Sequence, residues 1–193
     1  MSTAIKKPRK QEILEVAAQL FKEKGYAAST VRDIAEEVGI EAASLYNHIS
    51  SKEALLTEIC FEIANMFFPE TDLIKSGNGS AISKIRLLIY LHIEITTRHV
   101  AMATVANNEW KHLKEPQLSE FLKMRDNYEN CLHEMIKIGI EEDELRKIDS
   151  TVALYTILSS IRWLQFWFRE DRGVTVDQIK KEIADLLLNG IEK

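Results

Sequence analysis

Three residues with short side chains, Ala42, Ala43 and Ser44, are followed by two larger hydrogen-bonding residues, Tyr46 and His48. Short side chains let a helix approach the edges of DNA bases, because long ones would hold its backbone too far away. The methyl groups can contact thymine methyls, and the hydroxyl can donate or accept a hydrogen bond. The phenol and the imidazole are placed to reach phosphates on either side of the groove. This segment therefore predicts a helix that contacts duplex DNA.

Three further residues carry groups that suit contacts with DNA. Arg32 has a guanidinium that can form two hydrogen bonds with the edge of a guanine. Thr30 offers a hydroxyl and neighbouring backbone N–H groups to a phosphate, and Lys52 offers a positive charge. The alternative is an ordinary helical hairpin whose polar face is only hydrated. The combination of these residues at this spacing favours DNA binding.

Two short helices joined by a tight turn at Gly39 would hold these groups in place. A set of apolar residues recurs at helical spacing and is predicted to pack inward. These residues are Val31, Ile34, Ala35, Val38, Ile40, Leu45 and Ile49. The pattern is that of a helix-turn-helix, whose second helix enters the major groove. A first helix at residues 8–24 precedes the pair, and Ser29 or Thr30 is the predicted N-cap of the second helix.

The composition favours an all-helical fold with enough apolar material for a core. The chain has 193 residues, of which 46% are hydrophobic, with only three Pro and seven Gly. Its net charge of −5 argues against indiscriminate binding to polyanions. A local basic segment before the first helix instead suggests DNA contact at one end of the protein. That segment contains Lys6, Lys7, Arg9 and Lys10.

Signals for export, for a membrane span and for a disulfide are not found in the sequence. There is no charged-then-apolar leader and no run of about 18 apolar residues. We therefore expect a cytoplasmic protein without a membrane partner. Cys60 and Cys131 lie in helical apolar patterns without CxxC spacing, which predicts free thiols.

A longer pattern links the candidate DNA contacts. It reads Thr30-x-Arg32-Asp33-Ile34-Ala35-x-x-x-Gly39-Ile40, followed by Leu45-Tyr46-x-His48-Ile49-x-Ser51-Lys52-x-x-Leu55. This pattern resembles the DNA-binding domain of the tetracycline-repressor (TetR/AcrR) family. By position, the resemblance implies that four residues face bases, namely Arg32, Ala42, Ala43 and Ser44. It implies that four others hold the DNA backbone, namely Thr30, Tyr46, His48 and Lys52.

We predict two domains, a helix-turn-helix DNA-binding domain at residues 1–57 and a helical effector-binding and dimerisation domain at residues 58–193. A fourth helix begins after Ser50 or Ser51 and is expected to end at Pro69, before a loop. The remaining helices, which bring the total to about nine, are predicted at residues 81–98, 99–113, 116–139, 150–171 and 176–191. The N-caps of the last two are predicted to be Asp149 and either Thr175 or Asp177.

Since members of this family bind small effectors in the C-terminal domain, the resemblance implies a ligand-controlled switch. Large aromatic rings gather in two parts of that domain, where they could line an elongated apolar cavity or pack as ordinary core. The predicted ligand-binding residues are His99, Trp110, Phe121, Arg125, Tyr128, Arg162, Trp163 and Trp167. Either arginine could meet an anionic ligand group, and pairing with Glu109, Asp126 or Glu129 is the alternative.

Three C-terminal segments, Asn108-Glu109-Trp110, residues 123–129 and residues 161–169, resemble the acyl-CoA-responsive branch of the family. Members of that branch govern fatty-acid or related acyl degradation, so the resemblance implies a repressor released from its operator by a fatty acyl-CoA. A drug-responsive efflux regulator and a ligand-independent architectural DNA-binding protein are the alternatives. The sequence leaves the operator, the regulated genes and the choice between repression and activation open.

The last two helices predict a homodimer. The final helix places one set of apolar residues on a single face, namely Val176, Ile179, Ile183, Leu186, Leu187 and Ile191. The helix before it is more apolar than one core face requires, at Leu154, Ile157, Leu158, Ile161 and Leu164. Two such helices from each chain could form a four-helix interface. A two-fold dimer would set the recognition helices roughly 34–36 Å apart on a pseudo-palindromic operator.

An enzyme is the main alternative class of protein. His92 and His99 share a helix face, and Cys131 lies near His133, but the further ligands that zinc would need are not evident. The sequence has no Gly-rich phosphate loop, no G-x-S-x-G and no HExxH. We therefore predict a protein that is not an enzyme and uses no cofactor or metal.

Overall fold

The computed structural model describes residues 9–190, and all regular structure in this range is helical. The α-helices are α1 Arg9–Lys24, α2 Val31–Val38, α3 Ala42–Leu45, α4 Lys52–Ser76, α5 Ala81–Arg98, α6 Val100–Asn108, α7 Gln117–Glu141, α8 Ser150–Arg162, α9 Leu164–Trp167 and α10 Val176–Asn189. Single 3-10 turns lie at Trp110–His112 and Glu170–Arg172. The all-α fold predicted from composition and periodicity is confirmed.

The turn between α2 and α3 is defined by residues at both ends of α2. Thr30 caps the helix reciprocally: its hydroxyl accepts from the N–H of Asp33 at 3.1 Å, and its own N–H donates to the Asp33 carboxylate at 2.7 Å. Gly39 ends the helix at a φ of 75°, where glycine avoids the strain that a side chain would cause. Its N–H donates to the carbonyl groups of Ala35 and Glu36. The predicted cap and turn are both confirmed.

The predicted end of the fourth helix at Pro69 is wrong. α4 continues through Pro69 to Ser76, so most of the stretch predicted as a loop is helical. Proline removes one backbone donor from the helix, yet the residues after it are held by packing. Thr71 is 5% exposed, and Ile74 packs against the apolar core. These tertiary contacts outweigh the missing hydrogen bond.

Two other predicted helices are shorter than expected. The helix predicted at residues 99–113 ends at Asn108 and is followed by a 3-10 turn. The helix predicted at residues 150–171 is divided at Trp163 into α8 and α9, and Phe168 then adopts an extended conformation. The predicted N-caps of the last two long helices, Asp149 and Thr175, are confirmed by their side-chain hydrogen bonds. The resulting arrangement gives α9 only four residues.

The chain divides into two compact units, each made of two separate stretches of the sequence. Among the described residues, the first unit holds those up to Ile63 together with Ala101–Phe121. The second unit holds Ala64–Val100 and the residues from Leu122 onward. Consequently α4 and α7 each contribute residues to both units. The division into a DNA-binding domain at residues 1–57 and an effector-binding domain at residues 58–193 stays a prediction.

The second unit is built around α5, which packs against α8, α9 and α10. Helix α10 lies antiparallel to α5, because Arg86 pairs with Asp185 at 2.5 Å whereas Glu94, further along α5, pairs with Lys180 near the start of α10. Four residues that were expected to contribute to a dimer interface are instead buried in this core. They are Leu154, Ile157, Ile161 and Leu164. These apolar residues therefore pack within the core of the second unit.

Candidate DNA interface and effector-binding region

Two buried side chains anchor the predicted recognition helix. Leu45 is 0% exposed and Ile49 is 7% exposed, so this segment is fixed on the first unit from one side. Between them, Tyr46 is 56% exposed and His48 is also exposed. Ser44 and Ala43 face solvent as well, and Ala42 is half-buried. The predicted division into inward apolar and outward polar positions is confirmed.

The first turn of α2 presents Thr30 and Arg32 on the surface. The Thr30 hydroxyl also donates to the Asp33 carboxylate at 2.7 Å, so its main contact within the protein is the helix cap. Hydrogen bonds from Thr30 lower the pKa of Asp33 and keep that carboxylate ionised. A fixed negative charge thus lies beside the predicted phosphate contact, while the Arg32 guanidinium stays exposed for a partner.

The ammonium group of Lys52 is held by the first unit itself. Its Nζ donates to the carbonyl oxygens of Tyr26 at 2.9 Å and Ser29 at 2.8 Å. It also lies 4.3 Å from the centre of the Tyr26 ring, within the range of a cation–π contact. Since an ammonium group has three donors, the α1–α2 turn takes two of them. Lys52 therefore fixes the start of α4 to this turn, whatever it contributes to DNA.

The basic segment at the start of the chain is only partly described: Lys6 and Lys7 lie outside the described residues, whereas Arg9 and Lys10 are the first residues of α1. Arg9 donates to the carbonyl of Val38 at 3.2 Å and pairs with Glu12 at 2.8 Å. Lys10 pairs with Glu58 on α4 at 2.5 Å. Both described cations therefore have acceptors inside the first unit, and their positive charge is partly neutralised there.

The segment after α6 contacts the α1–α2 turn and the start of α4 within the first unit. The His112 ring lies 5.2 Å from the Tyr26 ring, centre to centre, and pairs with Glu109 at 3.3 Å. Lys114 pairs with Glu53, next to Lys52, at 3.4 Å. Residues that were assigned to the effector domain from sequence thus contact the α1–α2 turn and the start of α4.

The residues predicted to bind a ligand are divided between the two units. Trp110 and Phe121 are in the first unit, where Phe121 is 3% exposed and its ring lies 6.1 Å from that of Phe61. The other six are in the second unit: His99, Arg125, Tyr128, Arg162, Trp163 and Trp167. Of these, Trp163 is 62% exposed and Trp167 is 40% exposed. Two of the rings expected inside an apolar cavity therefore lie on the surface of the chain.

A polar pair inside the second unit includes a residue that sequence reasoning missed. His92 Nδ1 lies 3.0 Å from the hydroxyl of Tyr128, and the Phe67 ring lies about equally close to both. Burial lowers the pKa of His92 to about 4, because the charged imidazolium would lose its hydration. Burial also raises the pKa of Tyr128. Both groups are therefore uncharged at neutral pH. Only the helical spacing of His92 from His99 hinted at this position.

Arg125 and Arg162 carry like charges close enough to affect each other. Burial, and then the positive charge of Arg125, lower the pKa of Arg162. Arg125 lies 3.9 Å from Glu129 on the next turn of α7, which is one of the carboxylates considered from the sequence. The region therefore combines two guanidinium groups with exposed aromatic rings at Trp163 and Phe166, which contact each other at 5.1 Å.

Two family descriptions match the chain. Residues 13–59 match "Bacterial regulatory proteins, tetR family", and residues 78–191 match "Tetracyclin repressor-like, C-terminal domain". The second match alone covers more than half of the chain. The chain belongs to the TetR family. This TetR-family protein is a DNA-binding transcriptional regulator, and its relatives are regulators rather than enzymes.

Relatives of similar length match this TetR-family protein nearly end to end. The HTH-type transcriptional repressor KstR2 of Rhodococcus jostii is 29% identical over 192 residues, which is 98% of this chain and 94% of that protein. The solved structure of the ketosteroid transcriptional regulator KstR2 of Mycobacterium tuberculosis is 27% identical, with a TM-score of 0.91 and 97% coverage of each chain. AibR, solved with isovaleryl coenzyme A and operator DNA, shares the fold at a TM-score of 0.80 and 24% identity, covering 93% of this chain and 97% of its own. None of the helices within residues 9–190 combines the length and apolar character of a membrane span.

The contacts of Lys52 lead to a prediction about stability. Replacing it by methionine keeps the aliphatic stem but removes two hydrogen bonds and the cation–π contact. We expect the Lys52→Met variant to lose about 1–3 kcal/mol in the free energy of unfolding, measured by urea denaturation. Lys22→Met, at an exposed position near the end of α1, is the matched control and should change by less than about 0.5 kcal/mol. Unchanged stability with a smaller salt dependence of DNA binding would instead assign Lys52 to phosphate alone.

Proposed function

We propose that the protein is a cytoplasmic repressor that leaves its operator when a small effector binds. The observation that supports this most directly is the recognition segment, whose polar residues are exposed because Leu45 and Ile49 anchor it. A polar helix face fixed in this way presents hydrogen-bonding groups to a major groove without having to reorganise. The KstR2 relatives, which are named repressors, support the direction of regulation.

The proposed DNA contacts divide into two groups. Arg32, Ala42, Ala43 and Ser44 read base edges, and Thr30, Tyr46 and His48 hold phosphates. Lys52 contributes positive charge near the backbone while it fixes the α1–α2 turn. Of the base-reading residues, only Arg32 has a side chain that can form a bidentate pair with a base. Because the others are small, much of the selectivity rests on Arg32 and on the shape of the operator.

We propose a fatty or related acyl-CoA as the effector, bound by the second unit. Relatives supply part of the support: the fatty acid metabolism regulator protein of Bacillus subtilis is 24% identical over 191 residues, and AibR was solved with isovaleryl coenzyme A. The chain adds the neighbouring guanidinium groups of Arg125 and Arg162, which suit phosphate groups of coenzyme A. Uncharged His92 and Tyr128 suit a neutral acyl or amide part. Since α4 and α7 contribute residues to both units, binding in one can alter the other through continuous helices.

We also propose that the protein acts as a two-fold dimer of this chain. In the second unit, α8 and the segment after it expose large apolar side chains: Val152 is 57%, Tyr155 52%, Trp163 62% and Phe166 59% exposed. Leu186 on α10 is 78% exposed. Large apolar groups exposed on helices that pack against the same helix, α5, mark an interaction surface. A second copy fits that surface, since a two-fold pair would present two recognition helices to successive grooves.

The division of DNA contacts predicts two distinct mutant phenotypes. Arg32→Ala should cost about 1–3 kcal/mol in operator affinity and relax the base preference at one position per half-site. Tyr46→Phe should weaken all sequences alike, because it removes a phosphate contact. Affinities are measured by gel shift on a library of single-base operator variants, after an operator has been selected from genomic fragments. Arg146→Ala, an exposed arginine of the second unit, is the control. Identical profiles for the Arg32 and Tyr46 variants would contradict the division.

The effector proposal predicts release of DNA by CoA thioesters. Titrating the operator complex with isovaleryl-CoA and palmitoyl-CoA should raise the dissociation constant for DNA at least about tenfold, because an effector shifts the equilibrium by its differential affinity. Free coenzyme A and the free acids are the controls and should act more weakly. DNA affinity that stays constant at saturating thioester would refute this effector class.

The dimer proposal predicts that a charge on α8 separates the chains. Val152→Glu should shift the molecular mass measured by light scattering from dimer towards monomer, because an unpaired carboxylate in an apolar interface is costly. Val174→Glu is the matched control, since Val174 is also exposed but lies between helices. A wild-type protein that is monomeric at micromolar concentration, or two variants that behave alike, would exclude this surface.

A further inference from the structure

Gln165 carries a buried amide with no hydrogen-bond partner. It lies on α9 in the second unit and is 5% exposed. Neither Nε2 nor Oε1 forms a hydrogen bond, and these are the only buried side-chain nitrogen or oxygen atoms without a partner in the part of the chain that the structure describes. A buried polar group left unsatisfied is strongly destabilising. Such an exception calls for a physical explanation.

Gln165 is a polar residue at a position whose buried neighbours along the chain are apolar. Leu164 and Phe168, on the same short segment, are 0% and 9% exposed and belong to the apolar core. Phe166 and Trp167 point outward. Gln165 therefore occupies an inward position where an apolar side chain of similar size would satisfy packing. Its amide is useful only if something else supplies the missing hydrogen bonds.

The helix that packs against α9, α5, also carries uncharged polar groups. α9 packs against α5, and α5 carries His92, which hydrogen-bonds to Tyr128. Thr96, further along α5, is 3% exposed. These uncharged groups offer hydrogen bonds but no charge to balance a carboxylate or an ammonium. They suit neutral groups such as amides, ketones and thioester carbonyls.

We infer that Gln165 binds the effector, pairing its primary amide with two neutral amides of the bound molecule. Nε2–H would donate to the carbonyl of one effector amide, and Oε1 would accept from the N–H of the other, because a trans secondary amide presents its carbonyl and its N–H on opposite sides. This pairing uses both unsatisfied atoms at once, which a simple carbonyl group would not. The inference rests on the proposed function, because the pantetheine arm of an acyl-CoA supplies such amides. It adds the residue and the chemical group that make the second unit selective.

The test compares Gln165→Met with Thr97→Val. Methionine matches the shape of glutamine without its amide, so the ligand-free variant should melt at the same temperature as wild type or higher, and bind DNA equally well. Its dissociation constant for isovaleryl-CoA, measured by calorimetry, should rise about ten- to hundredfold. Thr97 donates to the Ile93 carbonyl at 2.8 Å, so Thr97→Val should lower the melting temperature and leave effector affinity unchanged.

Two smaller probes identify the group that Gln165 recognises. The N-acetylcysteamine thioester of isovaleric acid keeps an amide but lacks phosphates, whereas the methyl thioester lacks both. Gln165→Met should weaken the first by a smaller factor than isovaleryl-CoA, because only one amide remains, and leave the second unchanged. An equal loss for the methyl thioester would overturn the assignment to an amide.

The remaining outcomes separate this inference from the function on which it rests. If wild type binds the thioesters and Gln165→Met binds them equally well, the inference fails and the proposed effector class stands. A lower melting temperature of the ligand-free variant would also overturn the inference, since it would mean that the amide stabilises the protein by itself. If wild type binds none of the thioesters, the proposed effector class fails, and the amide partner fails with it.

Discussion

The DNA-binding surface of this protein depends on the burial of two side chains. α3 has only four residues, and an isolated helix of that length is unstable because nucleation is unfavourable and few hydrogen bonds follow. Leu45 and Ile49 supply what the backbone cannot, since their burial holds the segment on the first unit. The same anchoring leaves Ser44, Tyr46 and His48 outward. The geometry of the reading face is thus a consequence of apolar packing beneath it.

Positively charged side chains near this face form contacts within the protein, which leaves them less available to bind DNA. Lys52 binds two carbonyl oxygens of the α1–α2 turn, Arg9 binds the carbonyl of Val38, and Lys10 pairs with Glu58. These contacts fix the relative positions of α1, α2 and α4 within the first unit. A protein of net charge −5 gains DNA affinity only from charges that remain available, so the exposed Arg32 matters more than a count of basic residues would suggest.

The second unit combines an apolar core with uncharged hydrogen-bonding groups. Its core is continuous and apolar around α5, and neutral polar groups lie in it or against it: the amide of Gln165 and the His92–Tyr128 pair. Neutral hydrogen-bonding groups in such a place can select a ligand without the large desolvation penalty of a buried charge. Charged groups such as Arg125 are partly exposed, so a phosphate bound there can retain part of its hydration.

Local sequence determined the helix-turn-helix, the family pattern and the helix caps at Thr30, Asp149 and Thr175, because these depend on residues only a few positions apart. It also determined which side chains of the recognition segment point inward, since helical spacing fixes the face. The course of α4 through Pro69, the roles of Lys52 and Arg9, and the exposure of Trp163 were decided by tertiary structure. Each depends on partners that are distant in sequence. Their packing can outweigh a lost hydrogen bond, and their acceptor groups can bind a charged side chain. The unpartnered amide of Gln165 belongs to the same class, because only the fold reveals that no polar group within residues 9–190 bonds to those two atoms.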